Sequence, residues 1–167
     1  MKAIFHADRE WGIGKKNDLM FSLPLDMKFF RETTKDKIIV MGRNTLNSFP
    51  NGKPLKNRVN IVLSSKKVDE DVIAVHNSDE LFEELKKYPE DDVYVIGGAS
   101  VYNMLMPYCS EVLVTKVDAI GGAEVYVNNL DEDDRFELVQ QSVPQLDNGY
   151  PITFCTYRNK HIKKIIG

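Results

Sequence analysis

Short apolar runs, several rich in Val and Ile, alternate with stretches of helical periodicity, and this alternation constrains the fold more than any other feature. Ala3 to Ala7, Lys37 to Met41, Val59 to Leu63, Val72 to Val75, Val93 to Ile96 and Val112 to Val117 read as strands. Leu25 to Thr34, Asn44 to Phe49, Ser78 to Lys87 and Ser100 to Met106 read as helices, with Ser78 the expected N-cap of the third and Pro107 ending the fourth. Strands apolar at successive positions must bury both faces, which predicts an α/β fold with a largely parallel sheet covered on both sides. The last third changes character. Phe136 to Val143 and Ile152 to Arg158 read as strands around the turn signal Asp147-Asn148-Gly149, so an antiparallel pair is expected at one edge.

The composition excludes several classes. A chain of 167 residues with 43% hydrophobic and 28% charged residues is expected to form one domain. Its 22 basic and 25 acidic residues give a net charge of −3, so no excess advertises nucleic acid or an anionic membrane. No apolar run reaches the roughly 18 residues of a spanning helix, and the N-terminus runs into Asp8-Arg9-Glu10, unlike a signal peptide. Cys109 and Cys155 lack metal-ligand spacing; buried, reduced thiols, no metal and a cytoplasmic location are expected. Nothing suggests an obligate interface, so a monomer is expected.

Asp26 is a lone acid in an otherwise apolar run, Phe21 to Phe30. Pro24 suits the first turn of a helix, which puts Asp26 in the same turn and over Phe29, Phe30 and Thr33. One reading is an acid that complements the helix dipole from solvent. The other is a pocket carboxylate awaiting a cationic or hydrogen-bond-donating ligand, since a buried unpaired carboxylate is costly.

Three strand ends carry chemistry suited to an anionic cofactor. They are Met41-Gly42-Arg43-Asn44-Thr45, Leu63-Ser64-Ser65-Lys66-Lys67 and Ile96-Gly97-Gly98-Ala99-Ser100. Each offers backbone approach, free amides, hydroxyls or cations outside the carboxyl end of a strand. Neither a G-x-G-x-x-G fingerprint nor a G-x-x-x-x-G-K-[ST] loop is present.

Taken in order, Trp11-Gly12-Ile13-Gly14, Leu23-Pro24-Leu25-Asp26, Met41 to Thr45, Pro54-Leu55-Lys56-Asn57-Arg58, Leu63-Ser64-Ser65 and Val95 to Tyr102 resemble the dihydrofolate reductase family, collinearly from about Lys2 to Lys160. The resemblance implies a single reductase domain over 1–160; the tail over 161–167 falls outside it and is expected to be mobile. It implies a mostly parallel eight-stranded sheet, antiparallel at its C-terminal edge, with four flanking helices. NADPH is the implied cofactor, dihydrofolate the substrate, and antifolates further small-molecule ligands.

Asp26 would then grip the amino group and ring nitrogen of the pterin, with Phe21 and Leu19 beside it at the chemical centre. Ile4, Phe5, Met27, Phe30, Phe49, Leu55, Ile96 and Thr115 would line the substrate site, and Arg58 would pair with the carboxylate of the glutamate tail. Gly42, Arg43, Asn44, Thr45, Leu63, Ser64 and Ser65 would hold the phosphates of the cofactor. Ile96, Gly97, Gly98, Ala99, Ser100, Val101 and Tyr102 would cradle the rest, with a cis Gly-Gly peptide. His6, Ala7, Ile13 and Gly14 would flank the nicotinamide, under a mobile loop from Arg9 to Ser22.

This chain departs from the family at Phe21, where an indole is usual, at Ala123 to Asn128, at Ala99-Ser100, and at His6, which stands where a small residue is usual. The alternatives are the pyrimidine reductase of riboflavin synthesis, on the same fold, and a non-catalytic folate- or nucleotide-binding module.

Overall fold

The computed structural model describes residues 1–16, 18–68 and 71–165. Its strands are β1 (Lys2–Ala7), β2 (Gly12–Gly14), β3 (Ile38–Gly42), β4 (Val59–Leu63), β5 (Ile73–Val75), β6 (Val93–Gly97), β7 (Glu111–Val117), β8 (Val125–Tyr126), β9 (Phe136–Gln141), β10 (Gln145–Asp147) and β11 (Tyr150–Asn159). The α-helices are α1 (Pro24–Thr34), α2 (Arg43–Ser48), α3 (Ser78–Leu85) and α4 (Ala99–Leu105).

The apolar runs become strands because both of their faces find cover. Alternate residues of β3, β4, β6 and β7 divide between two cores. Ile38, Val40, Ile61, Val93, Val95, Val112 and Val114 pack with Leu81 and Leu85 of α3 and Val101, Tyr102 and Leu105 of α4. Ile39, Met41, Val62 and Tyr94 point the other way, to Phe29 and Phe30 of α1 and Leu46 of α2. The sheet runs β10-β11-β7-β1-β6-β3-β4-β5, parallel from β7 to β5 and antiparallel where β11 joins β7.

The expected eight lateral positions hold nine strands, because β9 and β10 share one side of β11. The Asn148-Gly149 turn joins β10 to β11, both residues having positive φ (50° and 86°), the geometry this dipeptide favours in two-residue hairpins. Pro144, with no N–H to donate, lies in the break between β9 and β10, so the expected strand from Phe136 stops at Gln141. The short β2–β8 pair was not expected from sequence. Its glycines and two-residue partner carry too little periodicity to read.

Two local expectations are corrected. The cap of α3 is Asn77, whose side chain accepts from the Glu80 N–H at 2.9 Å, and Ser78 is the first helical residue. The tail is tied down as far as it is described. The Lys163 N–H donates to the Pro107 carbonyl at 2.9 Å and Ile165 packs against the main core; residues 166 and 167 lie outside the described residues.

The start of α1 is held from a distance. Leu23, at its N-cap position, offers no side-chain acceptor. Asp147, at the end of β10 and only 2% exposed, supplies both. The Leu25 N–H donates to its Oδ1 at 3.1 Å and the Asp26 N–H to its Oδ2 at 3.0 Å. Asn148 Nδ2 adds a bond to the Ser22 carbonyl at 2.9 Å, so the hairpin clasps the segment that delivers Asp26. Asp147→Ala leaves two first-turn amides without an acceptor. It is expected to lower unfolding free energy by about 2 kcal/mol, with Asp147→Asn falling between it and wild type, as measured by urea titration followed by circular dichroism.

Candidate active site

Strand β1 pairs with β6 only at Lys2↔Tyr94 and Ala3↔Val95, yet stays paired with β7 as far as Ala7↔Lys116. Beyond Ala3 the two parallel strands part, and a cavity of about 390 Å³ opens between them. Ile4, Phe5 and His6 form one wall, and Ile96, Gly97, Gly98, Ala99 and Tyr102 the other. Asp26, Met27 and Phe30 of α1 close one side, with Thr45 and Phe49 at the far end. Ile13, Gly14 and Leu19 arch over the mouth. This is the crevice expected outside the carboxyl ends of strands in an open sheet.

Asp26 is a buried carboxylate of this cavity, which removes the solvent-facing reading. It is 8% exposed; Thr115 Oγ1 donates to its Oδ1 at 2.6 Å, and His6 Nδ1 lies 3.2 Å from its Oδ2. Among the described residues no Lys or Arg pairs with it; its side-chain partners are the Thr115 hydroxyl and the His6 imidazole. With Asp147 occupying the first-turn amides, Asp26 takes its stabilisation from side chains and keeps further lone pairs for a ligand. Thr115 thus reaches the site through Asp26. His6, expected beside the nicotinamide, borders the cavity and brings its Nδ1 to the acid.

Glycine is required where the cavity wall is thinnest. Gly97 has φ +133°, and a Cβ there would sit 3.1 Å from Thr45 Oγ1 and 3.6 Å from the Tyr102 hydroxyl. The Gly97–Gly98 peptide is cis. The Tyr102 hydroxyl donates to the Ile4 carbonyl at 2.8 Å, and burial pushes its pKa well up, so it remains a donor. Beside this wall α2 and α4 begin at Gly42 and Gly98 with no side-chain cap, leaving amides for a ligand.

Other expected site residues lie outside the cavity lining. Phe21 is buried with Leu23, Val117 and Ile152, its ring 6.0 Å from that of His6. Ala7, Leu55, Leu63, Ser100 and Val101 do not border the cavity, and neither do Gly42, Arg43, Asn44 or Ser65. Ser64 is buried and its hydroxyl donates to the Lys66 carbonyl at 2.9 Å. Arg58 is spent partly on the chain itself. Its guanidinium donates to Thr34 Oγ1 at 2.9 Å, the Lys56 carbonyl at 2.6 Å and the Arg31 carbonyl at 3.2 Å, bracing the end of α1.

Lys15, Asp18, Ser48, Pro50 and Val125 border the cavity without having been expected. They sit on the overlying loop, at the end of α2 and on β8, where sequence spacing carries no signal for proximity. Asp8 was also missed. Its carboxylate accepts from the amides of Glu10 (2.9 Å), Gly12 (2.8 Å) and Gly121 (2.9 Å), knotting the first residues of the Arg9–Ser22 loop to the segment before β8. Residue 17 of that loop lies outside the described residues.

The family model for dihydrofolate reductase matches residues 1–159. The chain is 37% identical over 158 residues to dihydrofolate reductase of Enterococcus faecium, covering 91% of this chain and 92% of that protein. It is 34% identical over 167 residues to dihydrofolate reductase of Bacillus subtilis (strain 168), covering 98% and 97%. Among solved structures, dihydrofolate reductase from Enterococcus faecalis, complexed with NADP(H) and RAB-propyl, superposes with a TM-score of 0.84 at 32% identity, covering 95% of each chain.

The loop geometry carries its own test. A Cβ on Gly12 would collide with the Cβ of Ala123 and crowd the Asp8 carboxylate. Gly12→Ala is therefore expected to separate β2 from β8. The Glu124 and Val127 amides, which donate to Gly14 and Trp11 carbonyls, should then exchange hydrogen about 10-fold faster or more by mass spectrometry.

Proposed function

The chain belongs to the dihydrofolate reductase family, and from that premise we propose how its own residues perform the NADPH-dependent reduction of 7,8-dihydrofolate to tetrahydrofolate. The observation that carries the assignment of roles is the buried Asp26 carboxylate at the wall of the cavity between β1 and β6.

When bound, NADPH supplies the hydride. The residues present fit a dinucleotide: a glycine wall that side chains would fill, uncapped amides at the starts of α2 and α4, and Arg43 and Ser65 just past the ends of β3 and β4. Thr45, Gly97, Gly98, Ala99 and Tyr102 hold the cofactor on this reading, and Ile13 and Gly14 cover its reactive end.

Ile4, Phe5, Met27, Phe30, Phe49 and Ile96 give the substrate ring an apolar slot, which orients it and excludes water. Ionised Asp26 is an acceptor only, so it takes N–H groups from the pterin and polarises the ring toward protonation. Thr115 holds its Oδ1 in place. The groups Asp26 grips lie across the ring from the nitrogen that gains the proton, so water delivers that proton. Arg58 has five N–H groups, three of them engaged with the chain. The remaining two serve the carboxylate of the substrate's glutamate tail.

We read residues 1–160 as one reductase domain, acting as a cytoplasmic monomer that also binds antifolates in the substrate slot. Among the described residues no helix is long and apolar enough to cross a membrane.

Wild-type protein is expected to oxidise NADPH when mixed with dihydrofolate, followed by loss of NADPH absorbance. Asp26→Asn should lower kcat by about 100-fold or more while leaving NADPH affinity within about twofold of wild type. Turnover of a phosphorylated ribosylaminopyrimidine with none of dihydrofolate would transfer the assignment to the pyrimidine reductase.

A further inference from the structure

Among the described residues, one buried side-chain nitrogen has no hydrogen-bond partner: Nε2 of His6. Buried polar atoms without partners are rare in folded proteins, and each needs a reason. This one belongs to a residue of the active site. His6 is 6% exposed, borders the cavity, and lies opposite Thr115 in the β1–β7 register. One side of the imidazole is apolar, with the Phe21 ring 6.0 Å away. The other side meets Asp26, with Nδ1 3.2 Å from Oδ2.

The chemistry of the pair fixes the tautomer. An ionised carboxylate has no proton to give, so Nδ1 carries the hydrogen and donates it to Oδ2. In the neutral ring the lone pair then sits on Nε2, an acceptor held in a fixed direction by the bond at the other nitrogen. Thr115 pins Oδ1 and His6 pins Oδ2, so the carboxylate cannot rotate away from the cavity.

We propose that His6 is a positioning residue for Asp26 and, through Nε2, a second acceptor for the ligand seated on that acid. The ligand class is a heterocycle with amino or ring N–H donors, read at two points rather than by a lone carboxylate. The inference rests on the reductase reading for the identity of the ligand, but not for the geometry of the pair.

The titratable groups around it are few. Asp26 faces the ring from α1 and Tyr102 borders the cavity from α4, its hydroxyl committed to the Ile4 carbonyl. Lys15 and Asp18 stand on the overlying loop, and Asp147 sits behind Asp26, committed to its amide.

The test uses the NADP⁺ complex of the full chain with ¹⁵N-labelled histidine. His6 is assigned by its absence in His6→Asn, which separates it from His76 and His161. The expected spectrum has Nδ1 protonated, and the Nε2 resonance moves when folic acid is added. In turnover, His6→Ala should lower kcat/KM for dihydrofolate about 10-fold or more, with NADPH affinity within about twofold of wild type. The pH profile of kcat/KM should change with it. His6→Asn, which keeps a donor in the place of Nδ1 but has no Nε2, should recover part of the loss. Protonation on Nε2 in the free complex, an Nε2 resonance indifferent to folic acid, an unchanged pH profile in His6→Ala, or a loss confined to NADPH affinity would each overturn the proposal. A wild-type protein inactive on dihydrofolate would defeat the reductase reading instead, and the tautomer measurement would still stand or fall by itself.

Discussion

Strand β1 keeps β7 for six residue pairs but keeps β6 for only two, and the active site follows from that asymmetry. A parallel sheet covered on both faces has little room for a ligand unless neighbouring strands separate. Here the separation exposes the carboxyl halves of β1 and β6 to each other, and helices on both faces prevent collapse of the gap. Gly97 and Gly98 keep the β6 wall thin, and the Tyr102 hydroxyl satisfies the Ile4 carbonyl that β6 no longer reaches. The cavity is therefore a consequence of strand pairing.

Among the described residues, three buried acids divide the electrostatic work. Asp8 is met by three backbone amides and Asp147 by two. Backbone donors are fixed, so these carboxylates act as clasps: one for the loop over the site, one for the start of α1. Asp26 differs because the partners of its oxygens are a hydroxyl and an imidazole. Side chains can exchange partners when a ligand arrives, and amides in a helix turn cannot. That contrast distinguishes the acid that serves chemistry from the two that serve architecture.

Much of the fold was legible in the chain. The Val- and Ile-rich runs required a two-sided sheet, and Pro24 marked the start of α1 within one residue. The Asn148-Gly149 pair announced a hairpin, although it joins β10 rather than β9 to β11. Patterns of period two or near four are local, so these features survive without three-dimensional knowledge. The glycine pair at the end of β6 and the lone acid in α1 were visible as anomalies for the same reason.

What the sequence by itself determined is which faces are apolar, where the turns fall, and that Asp26 sits in the first turn of a helix. Only the tertiary structure decided that Asp26 is buried, that Asp147, from 121 residues away, caps its helix, that Arg58 spends donors on α1, and that His6 turns toward the acid. The physical reason is range. Periodicity and propensity act over a few residues, whereas the cost of a buried charge depends on partners that only the folded sheet brings within hydrogen-bonding distance.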